Sequence, residues 1–587
     1  MASKILIKNG LLFTGDKDQK AEICHMLIEG NKIKQISKSE ILTDPETEVI
    51  DATDCWITPG FIDTHTHYDA ELVASPRLKE SARHGVTTVV VGSCSVSAIY
   101  NNPEDTSDTF TRVEAIPREV MLPLMEKTKT WHTPKEWKTF INDSALGVNV
   151  ASFIGHSDVR SKVMGLKRSV TENETATFQE QEEMNKMLND ALDVGFLGLS
   201  TMDNPWDKMD GNRYWSRKTP SFYGSWKERK LMIDTLRKRN AILQGAPNLV
   251  TRVSALVYMM KSSGIFRKPL KTTMIAMVDL IGDRFIMPLT MFGSNLTNRL
   301  LKGNFRMQAP PAPFTVYYDG VDSVMFEEFP TGEAMRHLAK NLHERNTLIK
   351  DKTFREQFKK EIKNKYKPKV WHKDLSLSVV LDCPDKSLIG KNFFQIAEER
   401  KQHPVDCFLN LIVDYDKKIR WTTTIGNDRP EKYKVIYNFP FNIISFSDAG
   451  AHLTNMAFYN FPLQMIKQVQ KSIDNKTPIM SMEKCIWRLS KEQADWLGLD
   501  ACFLAEGKIA DINIINPKYL TEVKDDVQED TIEEFDGFNR LVNRNDNLLQ
   551  YVIVGGKIIY SNNQFTPGYG KTFKSGRFLE KQDLVAG

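Results

Sequence analysis

The sequence predicts an α/β fold in which a parallel barrel is joined to a small β domain assembled from both ends of the chain. Apolar, β-branched runs alternate with helical patterns through the middle of the chain, as expected for repeated strand–helix units. Short strand patterns separated by tight turns occur at both ends. The chain has 587 residues, which is more than one ordinary core accommodates.

Each end of the chain carries a hairpin pattern. Near the start, residues 26–29 and 32–36 flank the turn residues Gly30-Asn31. Near the end, residues 550–554 and 557–560 flank Gly555-Gly556. Glycine and asparagine suit the positive φ angles of two-residue hairpin turns. Because chain termini often lie close together, we predict one β domain built from residues 1–58 and 501–587.

The middle of the chain, residues 59–500, is predicted to form the barrel. Its apolar runs resemble parallel strands that are covered on both faces. A long irregular stretch, residues 298–373, is predicted to be an insertion, either a lid or a solvated loop region. The predicted barrel strands lie in residues 86–91, 148–154, 196–200, 272–278, 376–381 and 442–446.

The composition disfavours a nucleic-acid binder, a disulfide-rich protein and a membrane-spanning protein. The 79 basic and 75 acidic residues give a net charge of +4, which disfavours a dedicated nucleic-acid binder. Seven scattered cysteines indicate a reduced, cytoplasmic protein without a disulfide framework. The most apolar long window, residues 272–292, is interrupted by three charged residues and does not predict a membrane span. We therefore expect no nucleic-acid or membrane partner; the oligomeric state is left open.

Residues 59–69 carry the first candidate site. A Pro-Gly turn leads into the short strand Phe61-Ile62-Asp63, which is followed by His65 and His67. Successive side chains of a strand alternate between its faces, so histidines two positions apart point the same way. Two imidazoles at a rigid strand end provide half of a divalent-metal site. Histidine pairs also occur without a metal, so further ligands are needed.

Further candidate ligands follow other apolar runs. Cys94 and His156 come shortly after the runs at 86–91 and 148–154, and Asp448 and His452 come after the run at 442–446. Active sites of parallel barrels lie at the carboxyl ends of their strands, so these side chains are expected to converge. Asp448 could also cap a helix, and Cys94 could be an ordinary buried side chain.

These residue types are suited to metal-assisted hydrolysis. A zinc-type ion with an open coordination position lowers the pKa of water, and a neighbouring carboxylate can take the proton and return it to a leaving nitrogen. Asp448 is the candidate for that carboxylate.

Several motifs together resemble the amidohydrolase superfamily, specifically its N-acyl-D-amino-acid deacylase (D-aminoacylase-like) branch. The similarity covers most of the chain. It is carried by Pro-Gly-Phe-Ile-Asp-Thr-His-Thr-His at 59–67, His-Gly-Val-Thr-Thr-Val-Val-Val-Gly-Ser-Cys at 84–94, Gly-Val-Asn-Val at 147–150 with Gly-His at 155–156, Gly-Phe-Leu-Gly-Leu-Ser at 195–200, Ser-Asp-Ala-Gly-Ala-His at 447–452 and Gly-Lys-Ile-Ala-Asp at 507–511.

The resemblance implies a TIM-like (β/α)8 barrel of the amidohydrolase type with a composite β-sandwich. It also implies metal-dependent hydrolysis of an amide C–N bond. The expected partner is a small-molecule substrate, an N-acylated (D-)amino acid or a related amide. Zinc is the expected ion; one ion is expected and a second is left open. His65, His67 and Asp448 would form one metal position, and Cys94 would take a bridging or second-metal role.

The sequence departs from this branch in its remaining ligands. No histidine occurs between Ser157 and Arg336, where relatives supply two more. Either one ion is held by the four residues above, or His156 and His452 have been recruited. Arg160 is the candidate for holding a substrate carboxylate, because a guanidinium binds carboxylates bidentately.

Two alternative functions stand beside the deacylase. The missing histidines favour a catalytically inactive, amidohydrolase-like assembly or binding protein. A cyclic-amide hydrolase of the dihydropyrimidinase or dihydroorotase type is less favoured, because those sites generally use a carboxylated lysine.

Overall fold

The secondary structure is that of a computed structural model, which describes residues 4–364, 369–524 and 526–582. The strands are β1 (Lys4–Leu12), β2 (Glu22–Glu29), β3 (Lys32–Ser37), β4 (Glu48–Asp51), β5 (Trp56–Pro59), β6 (Phe61–Asp63), β7 (Val86–Val91), β8 (Asn149–Ser152), β9 (Ile154–Gly155), β10 (Gly198–Met202), β11 (Ile242–Ala246), β12 (Lys271–Met274), β13 (Asn304–Gln308), β14 (Phe314–Asp319), β15 (Val379–Asp382), β16 (Arg420–Gly426), β17 (Asn442–Ile443), β18 (Ile512–Ile515), β19 (Gln528–Ile532), β20 (Phe538–Val542), β21 (Leu549–Val554), β22 (Lys557–Ser561) and β23 (Gln564–Phe565).

Helices lie between most of these strands. They are α1 (Asp69–Ala74), α2 (Lys79–Arg83), α3 (Pro103–Glu114), α4 (Arg118–Thr128), α5 (Pro134–Asp143), α6 (His156–Met164), α7 (Leu166–Ser169), α8 (Phe178–Asp193), α9 (Pro220–Tyr223), α10 (Lys230–Lys238), α11 (Val253–Ser262), α12 (Ile286–Asn295), α13 (Pro330–His337), α14 (Leu342–Lys350), α15 (Lys352–Lys363), α16 (Phe393–Glu399), α17 (Pro404–Tyr415), α18 (Tyr433–Asn438), α19 (Phe461–Asp474), α20 (Met482–Leu489) and α21 (Lys491–Leu497).

Parallel strands form the centre of the molecule. They pair in the orders β6-β7-β8 and β9-β10-β11-β12-β13-β17. Phe153 alone separates β8 from β9, and the Leu197 N–H donates to the Ser152 carbonyl (2.8 Å), so the two series are continuous. At the other end, Thr66 forms a parallel bridge with Ala449. The pairings therefore run from β6 through β17 and back to the residues after β6.

The strands of this series are covered on both faces. All six residues of β7 are buried, as are those of β10 and β11. Helices such as α8 and α10 present their apolar sides to the strands. This agrees with the prediction of buried parallel strands at 86–91 and 196–200, since such strands read as continuous apolar runs.

A second, nine-stranded sheet combines both ends of the chain. Its order is β23-β22-β21-β18-β5-β1-β2-β3, with β4 paired to β1. β18 lies antiparallel between β5 and β21 and thereby joins the two halves. The hairpins β2–β3 and β21–β22 occur where the sequence predicts them.

The observed insertion differs from the predicted one at 298–373. β13 belongs to the parallel series, so the insertion begins after it. The apolar run at 376–381, predicted as a barrel strand, instead contributes to β15, which pairs antiparallel with β16. A short apolar run does not by itself reveal the sheet to which it belongs. Within the predicted range, residues 365–368 lie outside the described residues.

The insertion has its own core. The antiparallel sheet β14-β16-β15 packs with α13 to α17 around an aromatic cluster. Trp421 stacks on Tyr318 with ring centroids 3.9 Å apart, and Trp371 and Phe408 pack nearby. This core borders the carboxyl ends of the parallel strands through Val278, Leu280 and Phe446.

Within the described ranges, no helix combines the length and apolar character that crossing a lipid bilayer requires.

Candidate metal centre

Three predicted ligands meet at the carboxyl ends of the first two parallel strands. His65 and His67 follow β6, and Cys94 follows β7. Ligand atoms of these three side chains all lie within 4.8 Å of one another. The Cys94 Sγ is 3.3 Å from the His65 Nε2. All three residues are buried, so their donor atoms face each other away from bulk solvent.

Asp448 completes this group from the last strand of the series. Its Oδ1 lies 3.3 Å from the His65 Nε2 and 3.5 Å from the His67 Nε2. The Asp448 N–H donates to the His65 carbonyl (3.2 Å), which fixes the loop against the strand that carries the histidines. A Cβ at Gly450 would lie 2.7 Å from the His67 carbonyl oxygen, so this close approach requires glycine.

The Asp63 side chain links the segment that carries His65 and His67 to the segment that carries Asp448. Its carboxylate accepts a hydrogen bond from the Ser447 hydroxyl. The Ser445 hydroxyl accepts from the Thr64 N–H (2.7 Å) and so adds a second link between the same segments. Burial raises the pKa of Asp63 to about 7. The aspartate of the Phe-Ile-Asp entry thus helps to hold the segment that carries the histidines against the segment that carries Asp448.

A glycine turn brings Cys94 to the site. A Cβ at Gly92 would lie 2.2 Å from the Phe153 carbonyl oxygen, and its φ is +73°. Both features require glycine. Cys94 itself has a φ of 50°, a left-handed conformation that is uncommon for a side chain of this type and recurs at functional sites. The Gln244 Oε1, from β11, accepts from the Cys94 N–H (3.1 Å) and holds this turn.

Two further side chains orient the imidazoles. The His65 Nδ1 donates to the Gln308 Oε1 (2.6 Å). The proton of the neutral ring is then on Nδ1, and the unprotonated Nε2 can ligate a metal. The Glu114 Oε1 lies 3.0 Å from the His67 Nδ1, at ion-pair distance although without the angle of a hydrogen bond. Such partners of the distal nitrogen are typical of metal-ligating histidines.

Burial and neighbouring charges set the protonation of the site. Burial lowers the pKa of His65 to about 4, so its imidazole is neutral at physiological pH. Burial alone would raise the pKa of Asp448, but the imidazoles of His67 and His65 hold it at about 2. Burial raises the pKa of the Cys94 thiol to about 11. Burial opposes protonation of His67, yet Glu114 and Asp448 raise its pKa well above the usual value.

The donor set fits a divalent ion of the zinc type. Two imidazole nitrogens, one thiol sulfur and one carboxylate oxygen are ligands that zinc accepts. The distal nitrogens of both histidines face other partners, so their Nε2 atoms are directed toward Cys94 and Asp448. A cation at this place favours the thiolate and the neutral imidazole, because ligands must be unprotonated at the binding atom.

A cavity of about 970 Å³, counting the part open to solvent, lies over these residues. Its wall includes the acidic residues Glu114, Asp207 and Asp448, and otherwise it is mainly apolar. Among the described residues, no lysine or arginine lines it. The apolar wall is formed by Met202, Trp206, Ala246, Pro247, Leu249, Ile275, Ala276, Val278, Leu280, Phe314, Val324, Met325, Val370, Ile425, Phe446 and Met456.

The remaining predicted residues separate into two groups. His452 lines the cavity, and its N–H donates to the Glu114 carbonyl (2.7 Å). His156 is elsewhere: its Nδ1 lies 3.1 Å from the Ser221 Oγ, in a fully buried cluster. Arg160 is also buried away from the cavity, and its Nε donates to the Glu228 Oε1 (2.8 Å). A guanidinium occupied in this way does not face a substrate, which argues against the predicted role of Arg160.

Several residues of the site carried little sequence signal. Gln308 ends β13 and Gln244 is the middle residue of β11, but glutamine is not a usual ligand type and is not singled out by the sequence. Glu114 ends α3 rather than a strand. Asp207 follows β10 by several residues, and its side chain has no hydrogen-bond or ion-pair partner among the described residues. A polar residue directly after an apolar side chain is the signal that both glutamines share.

The geometry defines a class of protein: parallel α/β proteins with a buried metal-type site at the strand ends. Residues 48–208 match the model of the Amidohydrolase family. An uncharacterised protein of Mycobacterium tuberculosis is 41% identical over 591 residues, covering 99% of this chain and 96% of the relative. The chain belongs to the amidohydrolase superfamily, in its D-aminoacylase-like branch.

Two characterised proteins extend the comparison. N-acyl-D-aspartate deacylase of Alcaligenes xylosoxydans xylosoxydans is 30% identical over 176 residues, which cover 30% of this chain and 32% of the relative. The crystal structure of N-acyl-D-glutamate deacylase from Bordetella bronchiseptica, complexed with zinc and a phosphonate inhibitor, superimposes with a TM-score of 0.64. It covers 99% of this chain and 100% of that one at 16% identity, which shows a common fold.

Proposed function

We propose that this protein is a metal-dependent hydrolase that cleaves a non-peptide amide C–N bond and deacylates an N-acylated amine. The observation that carries the proposal is the convergence of His65, His67, Cys94 and Asp448 at one end of the parallel strands, which we infer to close into a (β/α)8 barrel. Membership of the amidohydrolase superfamily supports the reaction class.

The roles of the residues follow from their positions. His65, His67, Cys94 and Asp448 would hold a divalent ion, which supplies Lewis acidity to the substrate carbonyl and lowers the pKa of water. Asp448 is a carboxylate at neutral pH and would take the proton of the attacking water and return it to the departing nitrogen. Gln308 and Glu114 would keep the two imidazoles in the required orientation.

The substrate class is suggested in part by the relatives. The proteins named above act on N-acyl-D-aspartate and N-acyl-D-glutamate, so N-acyl amino acids are the first compounds to test. No lysine or arginine from the part of the chain that the structure describes lines the cavity to pair with their carboxylate, and Arg160 is paired with Glu228. The proposed substrate is therefore defined by its amide bond and its acyl group, and not by a carboxylate.

Metal analysis combined with activity measurements tests this proposal. We expect purified protein to carry close to one equivalent of a divalent metal and to release amine from N-acyl D- or L-amino acids or from simple amides. In His67→Ala and Asp448→Asn variants, we expect the metal content to fall and kcat to decrease by roughly 10²-fold or more.

Matched controls separate this effect from general damage. His343 is an exposed histidine outside the site, and His343→Ala should keep both metal and activity. The proposal is rejected if metal-loaded protein releases amine from none of these compounds, or if His67→Ala retains full activity.

A second candidate function rests on one observation. The stretches near which relatives would be expected to supply histidines, residues 219–221 and 243–248, carry none. Ser221 in the first stretch lies against His156, and Gln244 in the second accepts from the Cys94 N–H. A protein that kept the fold and lost catalysis would show this pattern. Such a binding protein would purify without stoichiometric metal, so the same elemental analysis distinguishes the two functions.

A further inference from the structure

An apolar stripe faces solvent along α12 and the turn of helix that follows it, residues 296–300. Phe285, at the start of the helix, is 84% exposed, and Phe292 is 67% exposed. The full stripe is Phe285, Leu289, Phe292, Leu296 and Leu300. Positions three or four apart lie on one face of a helix, so these side chains form a single continuous strip.

The neighbouring helix, α11, carries a similar stripe. Val253, Leu256 and Met260 are exposed at helical spacing. The two helices touch where Gly293 faces Met259; a Cβ at Gly293 would lie 2.9 Å from the Met259 sulfur. Helices on the outside of a globular protein normally turn polar residues to water. We refer to α11, α12 and residues 263–270 and 296–302 as the α11–α12 surface.

The charged side chains of this surface are all basic. Residues 253–278 and 284–318 contain no aspartate or glutamate. Arg267, Lys268, Arg299 and Lys302 are exposed within it. Next to the basic side chains lies Phe266, which is fully exposed. Exposed aromatic and aliphatic side chains bordered by lysine and arginine are typical of surfaces that lie on anionic membranes.

The active-site cavity shares an apolar wall with a neighbouring cavity at this surface. A second cavity lies between α11 and α12 and is lined by Ala255, Ile286, Met287 and Thr290. It shares wall residues with the cavity over the metal centre, namely Pro247, Leu249, Ile275, Ala276, Val278, Leu280 and Val370. None of the shared residues is charged, so the route between the two cavities suits an alkyl chain.

We propose that the α11–α12 surface binds the face of an anionic lipid bilayer, and that an amide with a long apolar chain passes from that bilayer to the metal centre through a passage formed by the two neighbouring cavities. The second half of the proposal rests on the proposed hydrolase function. The proposed binding is peripheral and needs no helix that spans the bilayer. The sequence expectation of no membrane partner rested on the lack of a spanning segment, which does not bear on a surface of this kind.

A second copy of the chain fits this surface less well. In a two-fold contact, the same patch of both copies meets, so the basic residues of each copy would face a surface that offers no acidic partner. Anionic lipid headgroups supply the missing negative charge, and the apolar stripe can enter the acyl region.

Vesicle co-sedimentation of the full chain tests the first half. We expect binding to vesicles of phosphatidylcholine with phosphatidylglycerol, and weak binding to phosphatidylcholine alone. A Phe285→Ser, Leu289→Ser, Phe292→Ser variant should reduce binding by about tenfold or more, because it removes the apolar contact. A matched variant, Phe178→Ser with Leu342→Ser, alters equally exposed apolar residues elsewhere and should bind normally.

Two results would overturn the docking surface. One is wild-type protein that fails to sediment with the anionic vesicles. The other is a stable dimer in light scattering that the triple serine variant converts to monomer, since the stripe would then be an interface between copies.

Hydrolysis measurements test the second half and separate it from the proposed function. With dodecanoyl and acetyl amides of one amine in anionic vesicles, we expect the triple serine variant to lose activity on the dodecanoyl amide and to keep activity on the acetyl amide. Equal activity of the variant on both compounds would contradict the passage. Vesicle binding without hydrolysis of any amide would reject the hydrolase function and leave the docking surface standing.

Discussion

At the residue scale, the site depends on side chains that the metal would not touch directly. Glu114 is buried, and both of its carboxylate oxygens lack a hydrogen-bond partner among the described residues. Its Oε1 is 3.0 Å from the His67 Nδ1. A carboxylate in this position favours a proton on Nδ1 and makes Nε2 a better donor to a metal.

We predict that Glu114→Gln weakens metal affinity. The substitution keeps the shape of the side chain and removes the charge behind His67, so we expect the metal dissociation constant to rise roughly 10- to 100-fold. Competition with a chelating dye measures this constant. Glu119→Gln, at an exposed position of α4, should leave it unchanged. An unchanged constant in Glu114→Gln would show that Glu114 does not support the ligand.

Lys129 is a lysine whose burial disfavours the charged form of its amine. Its Nζ donates to the carbonyls of Ile99 and Trp131, both at 2.7 Å. Burial nevertheless lowers its pKa to about 8. A lysine in an unfolded chain titrates near pH ~10.4. Between these two values the unfolded chain binds more protons than the folded one, so the contribution of Lys129 to stability rises with pH.

This linkage is testable with Lys129→Met. The difference in free energy of unfolding between wild type and variant should increase as pH rises from about 8 to about 10, and it should be flat below pH ~7. Urea unfolding at several pH values provides the measurement. Lys127→Met, at an exposed position in the last turn of α4 just before Lys129, should show no such pH dependence. A difference that is constant between pH 8 and 10 would contradict the lowered pKa.

At the element scale, β18 joins the composite sheet to the parallel strands. Asp511, which precedes it, accepts from the Asn149 Nδ2 (2.8 Å) and from the Gly555 N–H (2.7 Å). Asn149 belongs to β8 in the parallel series, whereas Gly555 lies in the turn between β21 and β22. One buried carboxylate therefore connects three segments that are far apart in sequence.

Asp511→Ala should destabilise the protein by about 3 kcal/mol, because it leaves the buried Asn149 amide and the half-buried Gly555 N–H without this acceptor. Denaturant unfolding followed by tryptophan fluorescence measures this loss. Asp500→Ala is the control: Asp500 pairs with Lys508 on the surface, and such exposed pairs contribute about 0–1 kcal/mol. A loss in Asp511→Ala no larger than that of the control would show that the connection carries little stability.

The elements also show where sequence patterns were sufficient. The hairpins β2–β3 and β21–β22 have both a local turn signal and alternating apolar residues, and their predictions are confirmed. The run at 376–381 has strand character without information on its partner. It was predicted to lie in the barrel and instead pairs with β16 in the insertion. Pairing depends on distant residues, which a local pattern does not contain.

At the scale of the whole molecule, the ligands come from strands far apart in the sequence. His65 and Asp448 are brought within 3.3 Å by parallel pairings that return to the residues after β6. An ion held by these residues binds the folded chain and not the unfolded one. It should therefore stabilise the native state, by about 2.7 kcal/mol when its concentration is 100-fold above its dissociation constant.

We predict that removal of metal lowers the thermal midpoint and that added zinc restores it. The His67→Ala variant should show a lower midpoint that responds little to chelator or zinc, because the site is incomplete. His343→Ala should respond as wild type does. Differential scanning calorimetry with and without chelator gives these values. A midpoint of the wild type that is insensitive to chelator would argue against a bound ion.

The sequence by itself determined the α/β class, the hairpins of the composite sheet and the candidate ligands His65, His67, Cys94 and Asp448. These features depend on local periodicity, turn residues and side-chain chemistry, which are visible within short segments. The tertiary structure decided which candidates meet. It placed His452 at the cavity, enclosed His156 and Arg160 elsewhere, and brought Glu114, Gln244 and Gln308 to the ligands. Proximity of this kind arises from the packing of strands and helices that are remote in sequence, so no single segment encodes it.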